Sequence, residues 1–178
     1  TVPPTPVPTL LYAYGGFQIS TTPWYWSSAG KLWLEKGGAY AIANIRGGGE
    51  FGPTWHAAAT GRNRQRNFDD LAAVAQDMVA RGLTTQQKLG VFGSSQGGLL
   101  AAGTFVQHPD LFAAVVAQVP LTDMLRYTRL AANCTWTAEY GDPADPAMRD
   151  IIGHADVKRP VTPARHDVGV VRLPHRRQ

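Results

Sequence analysis

Ser95 stands between small residues in the frame Gly93-Ser94-Ser95-Gln96-Gly97. A serine hydroxyl attacks a carbonyl only when the backbone presents it, and the spacing G-x-S-x-G is one that does so. The glycines permit a strained strand-to-helix turn that lifts the hydroxyl above a sheet edge. The flanks fit this arrangement. Residues 88–92, KLGVF, have the length and apolar content of a short buried strand, and from Gln96 to about Gln107 the chain is an Ala/Leu-rich helical stretch stopped by His108-Pro109. The same frame also occurs in unrelated glycine-rich loops, where the serine is chosen only for its size.

A second glycine frame, GGGEFG at 47–52, formally satisfies G-x-G-x-x-G, follows a strand-like run and has Asp69 and Asp70 about twenty positions further on. Pro53 and the broken stretch TWHAAATGRNRQRN predict no helix opening directly on these glycines. A pyrophosphate would then lack the helix N-terminus it needs, so the dinucleotide signal is weak. His56 follows Trp55 in this stretch but precedes the serine, against the hydrolase order of serine, acid, histidine, and it reads as structural.

These residues must be carried by a scaffold. Strand-like runs are expected at 9–14 and 38–45, each closed by glycines, then at 88–92 and at 112–119, ending at Pro120. Asn67 is expected to cap a helix whose first turn holds Asp69 and Asp70, with Leu71, Val74, Ala75 and Met78 along one face and Gly82 as the stop. The order strand, strand, helix, strand, helix, strand indicates an α/β domain with a mostly parallel sheet and flanking helices. Sites in such sheets lie at the carboxyl ends of the strands.

Several longer words resemble the α/β-hydrolase catalytic domain of the prolyl oligopeptidase family: LLYAYGGF (10–17), AIANIRGGGEFG with WH behind it (41–56), GSSQGGLLAAG (93–103), HPDLFAAVVAQVP with DML (108–125) and WTAEYGDP (136–143). They cover roughly residues 9–150 in the family's order. The resemblance implies that Ser95 is the nucleophile, that the backbone N–H of Gln96 donates to the oxyanion, and that the Tyr14 hydroxyl is a second donor. The family usually has asparagine at the position of Gln96; a backbone donor survives that exchange. Phe17, Trp136 and Tyr140 match aromatics that line the family's proline pocket, which suits a ring with a flat apolar face and no donor. From the residues alone, Tyr14 also reads as a core tyrosine and the three aromatics as ordinary packing. Cys134 lies near Trp136 and reads as a small buried filler.

A serine of this kind needs a histidine and a carboxylate. In the family these arrive on later strands, further along than the residues following Ser95 extend, and the resemblance stops near Gly153. Asp167 with His166 or His175 formally completes a triad, but nothing places them at strand ends. The sequence therefore predicts an incomplete α/β-hydrolase fold over residues 9–152, between a proline-rich linker at 1–8, with the true amino terminus further upstream, and a divergent basic tail at 153–178. The expected activity is serine-type hydrolysis after proline in short peptides, without a metal or cofactor and inactive as it stands. The family's β-propeller is expected in the full-length protein. An α/β-hydrolase of other specificity, or a non-catalytic remnant keeping a peptide pocket, remains an alternative.

Composition limits the partners. The 178 residues, 44% hydrophobic, suffice for one globular domain. The net charge of +4 owes much to Lys158, Arg159, Arg165, Arg172, Arg176 and Arg177, which argues against a nucleic-acid footprint. A single cysteine forms no internal disulfide and no apolar run approaches a membrane span, which reads as a soluble protein of open compartment, with the cytoplasm favoured over secretion.

Overall fold

A computed structural model describes residues 5–130 and 135–154. Four strands, β1 (Thr9–Tyr12), β2 (Ala39–Ile42), β3 (Leu89–Ser94) and β4 (Ala114–Gln118), form one sheet in the order β2-β1-β3-β4. Every pairing is parallel, with Leu11 opposite both Ala41 and Val91, and Val91 opposite Val115. The strands are shorter at most ends than the apolar runs suggest. β3 is the exception, running through Ser94 into the turn.

Alternation along the strands divides the sheet into two faces. Leu11, Leu89, Val91, Val115 and Ala117 are buried on one of them. There they meet α3 (Gln65–Ala80), whose Phe68, Leu71, Ala72, Ala75 and Met78 form a buried helical stripe, and α4 (Gln96–Gln107), buried continuously from Gln96 to Thr104. A helix apolar all round belongs inside a fold, and α4 packs on β3, β4 and α3. The other face carries Tyr12, Tyr40 and Phe92, with Trp24 and Trp26 from the segment leading into α1 (Ser27–Leu32) laid over them.

Two local expectations are corrected. Asn67 does not cap α3, which begins two residues earlier, at Gln65, directly out of a short 3-10 turn at Gly61–Asn63. Asn67 is instead fully buried, donating through Nδ2 to the carbonyls of Gly15 and Arg46, both at 2.8 Å. Nor do Asp69 and Asp70 lie in the first turn of α3, which holds no acidic residue; Asp70 instead accepts the Arg46 backbone N–H at 3.0 Å and the Arg46 guanidinium in a two-pronged contact. A tertiary partner in each case outweighs the local capping preference.

A third correction concerns the glycine frame at 47–52. A helix does open directly on Gly52, with Pro53 in its first turn: α2 (Pro53–Ala57), only five residues long. The dinucleotide reading still fails, for another reason. Most amides of the loop are already spent, with Gly47 donating to the Trp55 carbonyl (3.1 Å), Gly48 to that of Ile45 (3.2 Å), Gly49 to that of Ile19 (3.2 Å) and Gly52 to that of Gly49 (3.0 Å). The Glu50 carboxylate occupies the same loop and accepts the Thr21 N–H at 2.8 Å. With four of its six amides engaged and a carboxylate inside it, the loop repels a phosphate rather than cradling it.

Candidate active site

The strand order locates the site. From β1 the chain proceeds to β2 on one side, and β3 then pairs on the other side of β1, so the loops after β1 and β3 leave the carboxyl edge of the sheet side by side, where sites in such sheets lie. The loop after β1 carries Tyr14 and Phe17. The turn after β3 carries Ser95.

Ser95 has φ +56° and ψ −117°, a conformation that L-residues rarely adopt, and it stands immediately before α4. Packing holds it there. A side chain at Gly93 would run into the Gly97 carbonyl, and one at Gly97 would lie 2.8 Å from the Ala13 carbonyl. Both positions therefore require glycine for close approach. The Ser95 N–H donates to the Gln118 carbonyl of β4 at 2.9 Å, fixing the turn to the sheet. As the first residue of α4, Gln96 has no intrahelical acceptor for its own N–H, which is available to an oxyanion at the turn.

The contact of Gly97 with Ala13 draws the end of β1 against the turn, and Tyr14 arrives beside Ser95. The Tyr14 phenol lies near enough to the Ser95 side chain to feel it electrostatically. Burial raises its pKa above the ordinary 10.0; the Ser95 contact and the Arg64 charge act in the opposite direction, while the Glu139 charge adds to the rise. A phenol so shifted keeps its proton near neutral pH and remains a donor.

Phe17 and Trp136 meet edge to face, with centroids 5.6 Å apart and planes at 73°. Tyr140, at the end of α5 (Thr137–Tyr140), stands edge-on behind Phe17 at 5.7 Å. It is only 1% exposed and its hydroxyl donates to Gln96 Oε1 at 2.6 Å, so its ring backs the aromatic wall and its polar end braces the residue after Ser95. The Gln96 amide nitrogen in turn donates to Asn67 Oδ1 at 3.3 Å. The side chain of Gln96 thus bridges α5 to the asparagine that holds the loops after β1 and β2. Sequence reasoning considered only its backbone.

His56 joins the site network through Glu139, its Nε2 lying 2.8 Å from Glu139 Oε2. Glu139 also accepts from Arg64 Nη1 at 2.9 Å and from the Phe17 backbone N–H at 3.0 Å. Sequence singles out neither Glu139 nor Arg64: Arg64 stands between Arg62 and Arg66, and Glu139 shares its word with Asp142, so no local signal marks either as the buried charge. A cavity of about 10 Å³, lined by Arg64, Phe68, Met124, Tyr140 and Ile152 among others, lies behind this wall. It has room for one water and none for a proline ring. Cys134, His166, Asp167 and His175 lie outside the described residues. Among the described residues no group of three or more His, Cys, Asp or Glu side chains could hold a metal, and no helix is long and apolar enough to cross a membrane.

A parallel sheet with helices on it, and a strained serine turn at a strand's carboxyl end, define an α/β-hydrolase domain. Residues 24–162 match the prolyl oligopeptidase family, and the chain belongs to it. The chain is 57% identical over 155 residues to an uncharacterized peptidase of Sinorhizobium fredii and 41% identical over 138 residues to the prolyl endopeptidase of Elizabethkingia meningoseptica, alignments covering 85% and 78% of the chain. Among solved structures, a post-proline cleaving enzyme from Rickettsia typhi superposes with a TM-score of 0.83 at 42% identity over 86% of the chain and 22% of that protein. Prolyl oligopeptidase B from Galerina marginata gives 0.82 at 32% identity, over 85% of the chain and 22% of its own length. The chain spans about a fifth of the length of the curated relatives it matches, 21% and 19% for the two named.

Proposed function

We propose that this chain carries the nucleophile-bearing part of a serine peptidase that cleaves after proline in short peptides. The observation supporting this most strongly is the convergence on Ser95: the strained turn at φ +56°, the free N–H of Gln96 at the start of α4 and the Tyr14 phenol on the neighbouring loop. In this reading Ser95 Oγ bonds to the carbonyl carbon. The negative charge then develops on an oxygen facing the Gln96 N–H and the Tyr14 hydroxyl. Collapse breaks the C–N bond, leaves an acyl-enzyme and releases the amine, with a histidine as proton carrier. Phe17 and Trp136 receive the proline ring, with Tyr140 behind them. Residues 9–152 are the partial catalytic domain, 1–8 a linker and 153–178 a basic tail, with a β-propeller elsewhere in the full-length protein.

A fluorophosphonate probe tests the chemistry, since it labels only an activated serine. Covalent labelling lost in Ser95→Ala supports the assignment, and labelling that survives the substitution overturns it. A second reading, a peptide-binding module without turnover, is favoured by one observation: His56, the histidine in the site network, spends its Nε2 on Glu139. Under that reading proline peptides bind while the probe leaves Ser95 unmodified.

A further inference from the structure

The loop after β1 contains two successive non-glycine residues in the left-handed region, Phe17 at φ +54° and Gln18 at φ +55°. Such a pair persists only where its surroundings over-determine it. One tie is local, the Ile19 N–H donating to the Gly16 carbonyl at 3.0 Å. Another comes from 122 residues further along the chain, where the Glu139 carboxylate accepts the Phe17 N–H at 3.0 Å. Glu139 is itself 5% exposed, a depth at which a carboxylate needs full compensation. It has it: Oε1 also takes Arg64 Nη1 at 2.9 Å, and Oε2 takes His56 Nε2 at 2.8 Å. The Arg64 guanidinium carbon sits 4.9 Å over the Tyr140 ring, so the cation that balances Glu139 also packs on the support of the aromatic wall.

The loop is pressed onto this carboxylate. A side chain at Gly16 would lie 2.6 Å from Gln96 Cγ and 3.2 Å from Glu139 Oε1. Glu139 directly precedes Tyr140 on α5, and Trp136 stands just before that helix as its N-cap. One buried group therefore touches the loop bearing Tyr14 and Phe17, belongs to the helix bearing the rest of the wall, and is braced from α2 by His56 and from the start of α3 by Arg64.

We infer that Glu139 is a positioning residue: its carboxylate clamps the loop after β1 in its strained conformation, and so sets the Tyr14 donor and the Phe17–Trp136 pocket as one unit. This rests on the proposed function for the meaning of Tyr14, while the clamp itself is a property of the fold. It predicts that the oxyanion donor and the pocket loosen together when Glu139 is altered, although Glu139 touches no reacting atom.

The test uses the full chain with Glu139→Gln, and with Glu139→Ala combined with Arg64→Met so that neither buried charge is left without its partner. Amide hydrogen exchange at Phe17, referred to Val91 in β3, reads the clamp without requiring turnover. The double variant should exchange about tenfold faster at Phe17 with Val91 unchanged, the expected size for loss of one hydrogen bond to a charged acceptor. Glu139→Gln keeps an acceptor but turns an NH₂ towards Arg64 or His56, and should give a several-fold rise. Unchanged Phe17 exchange in Glu139→Gln overturns the clamp, even if the double variant loses its sheet. The second readout is the rate of fluorophosphonate labelling with and without Tyr14→Phe. Tyr14→Phe should slow labelling several-fold in the unaltered chain and less than twofold once Glu139 is altered, whereas an equal effect in both backgrounds overturns the coupling. A chain that never labels supports the binding-module reading in place of turnover, and exchange at Phe17 then decides the clamp.

Discussion

At the scale of single residues, two side chains separate binding from support. Trp136 is half-buried and stands edge-on to Phe17, whereas Asn67 is wholly enclosed. In a form of the protein that turns over peptides, Trp136→Ala should lower kcat/KM for a Gly-Pro reporter far more than for a matched Gly-Ala reporter, since only the proline substrate loses a flat apolar contact, worth about 1 kcal/mol beyond burial. Equal losses would mean that the tryptophan is packing. Asn67→Ala acts through the fold. It leaves the carbonyls of Gly15 and Arg46 without their donor and the Gln96 amide without its acceptor, and should lower unfolding stability by about 1–3 kcal/mol in a urea titration. A smaller loss would mean that water replaces the asparagine.

At the scale of elements, the junction of β1, β3 and α4 is the tightest constraint. Gly97→Ala would place a methyl 2.8 Å from the Ala13 carbonyl and force β1 away from the turn. It should cost about 1–3 kcal/mol by thermal unfolding and weaken the Tyr14 contact with Ser95, which a reduced labelling rate would report. The short 3-10 turn at Tyr127–Arg129 offers a pH test. Tyr127 is 1% exposed and donates to the Gly141 carbonyl at 2.6 Å. Burial, with the Asp142 charge adding to it, raises its phenol from 10.0 to about 12. The folded chain therefore holds this proton more tightly than the unfolded one, and the contribution is full below pH 10 and lost as pH rises through about 12. Stability measured across that window should fall, and Tyr127→Phe should fall less steeply; parallel curves would assign the loss to other tyrosines.

At the scale of the whole molecule, the described sheet has β2 and β4 at its edges and large apolar side chains in solvent: Tyr25 is 87% exposed, Phe51 65% and Leu32 64%. Unpaired edges and exposed apolar surface favour association. The isolated chain should bind a hydrophobic dye and self-associate as its concentration rises. A sharp, reversible melt of a dye-silent monomer would contradict this.

The local patterns were sufficient for the parallel α/β class, for the Ser95 turn and for the helix at Gln96–Gln107, because a period-two apolar run, a glycine frame and a His-Pro stop each act within a few residues. The buried stripe of α3 was legible for the same reason, but its start was not, since Asn67 answers to carbonyls at Gly15 and Arg46 rather than to its own helix. The aromatic face built by Tyr12, Tyr40 and Phe92 needed the strand register. Glu139 needed still more. Its partners lie at positions 17, 56 and 64, and no spacing in a sequence encodes that a carboxylate will meet three distant donors once the sheet, α2 and α3 have brought them together. Composition and periodicity determined which elements form, because those are local free energies. Which polar groups share a buried site was decided only by the packing of those elements, where desolvation makes each long-range partner obligatory.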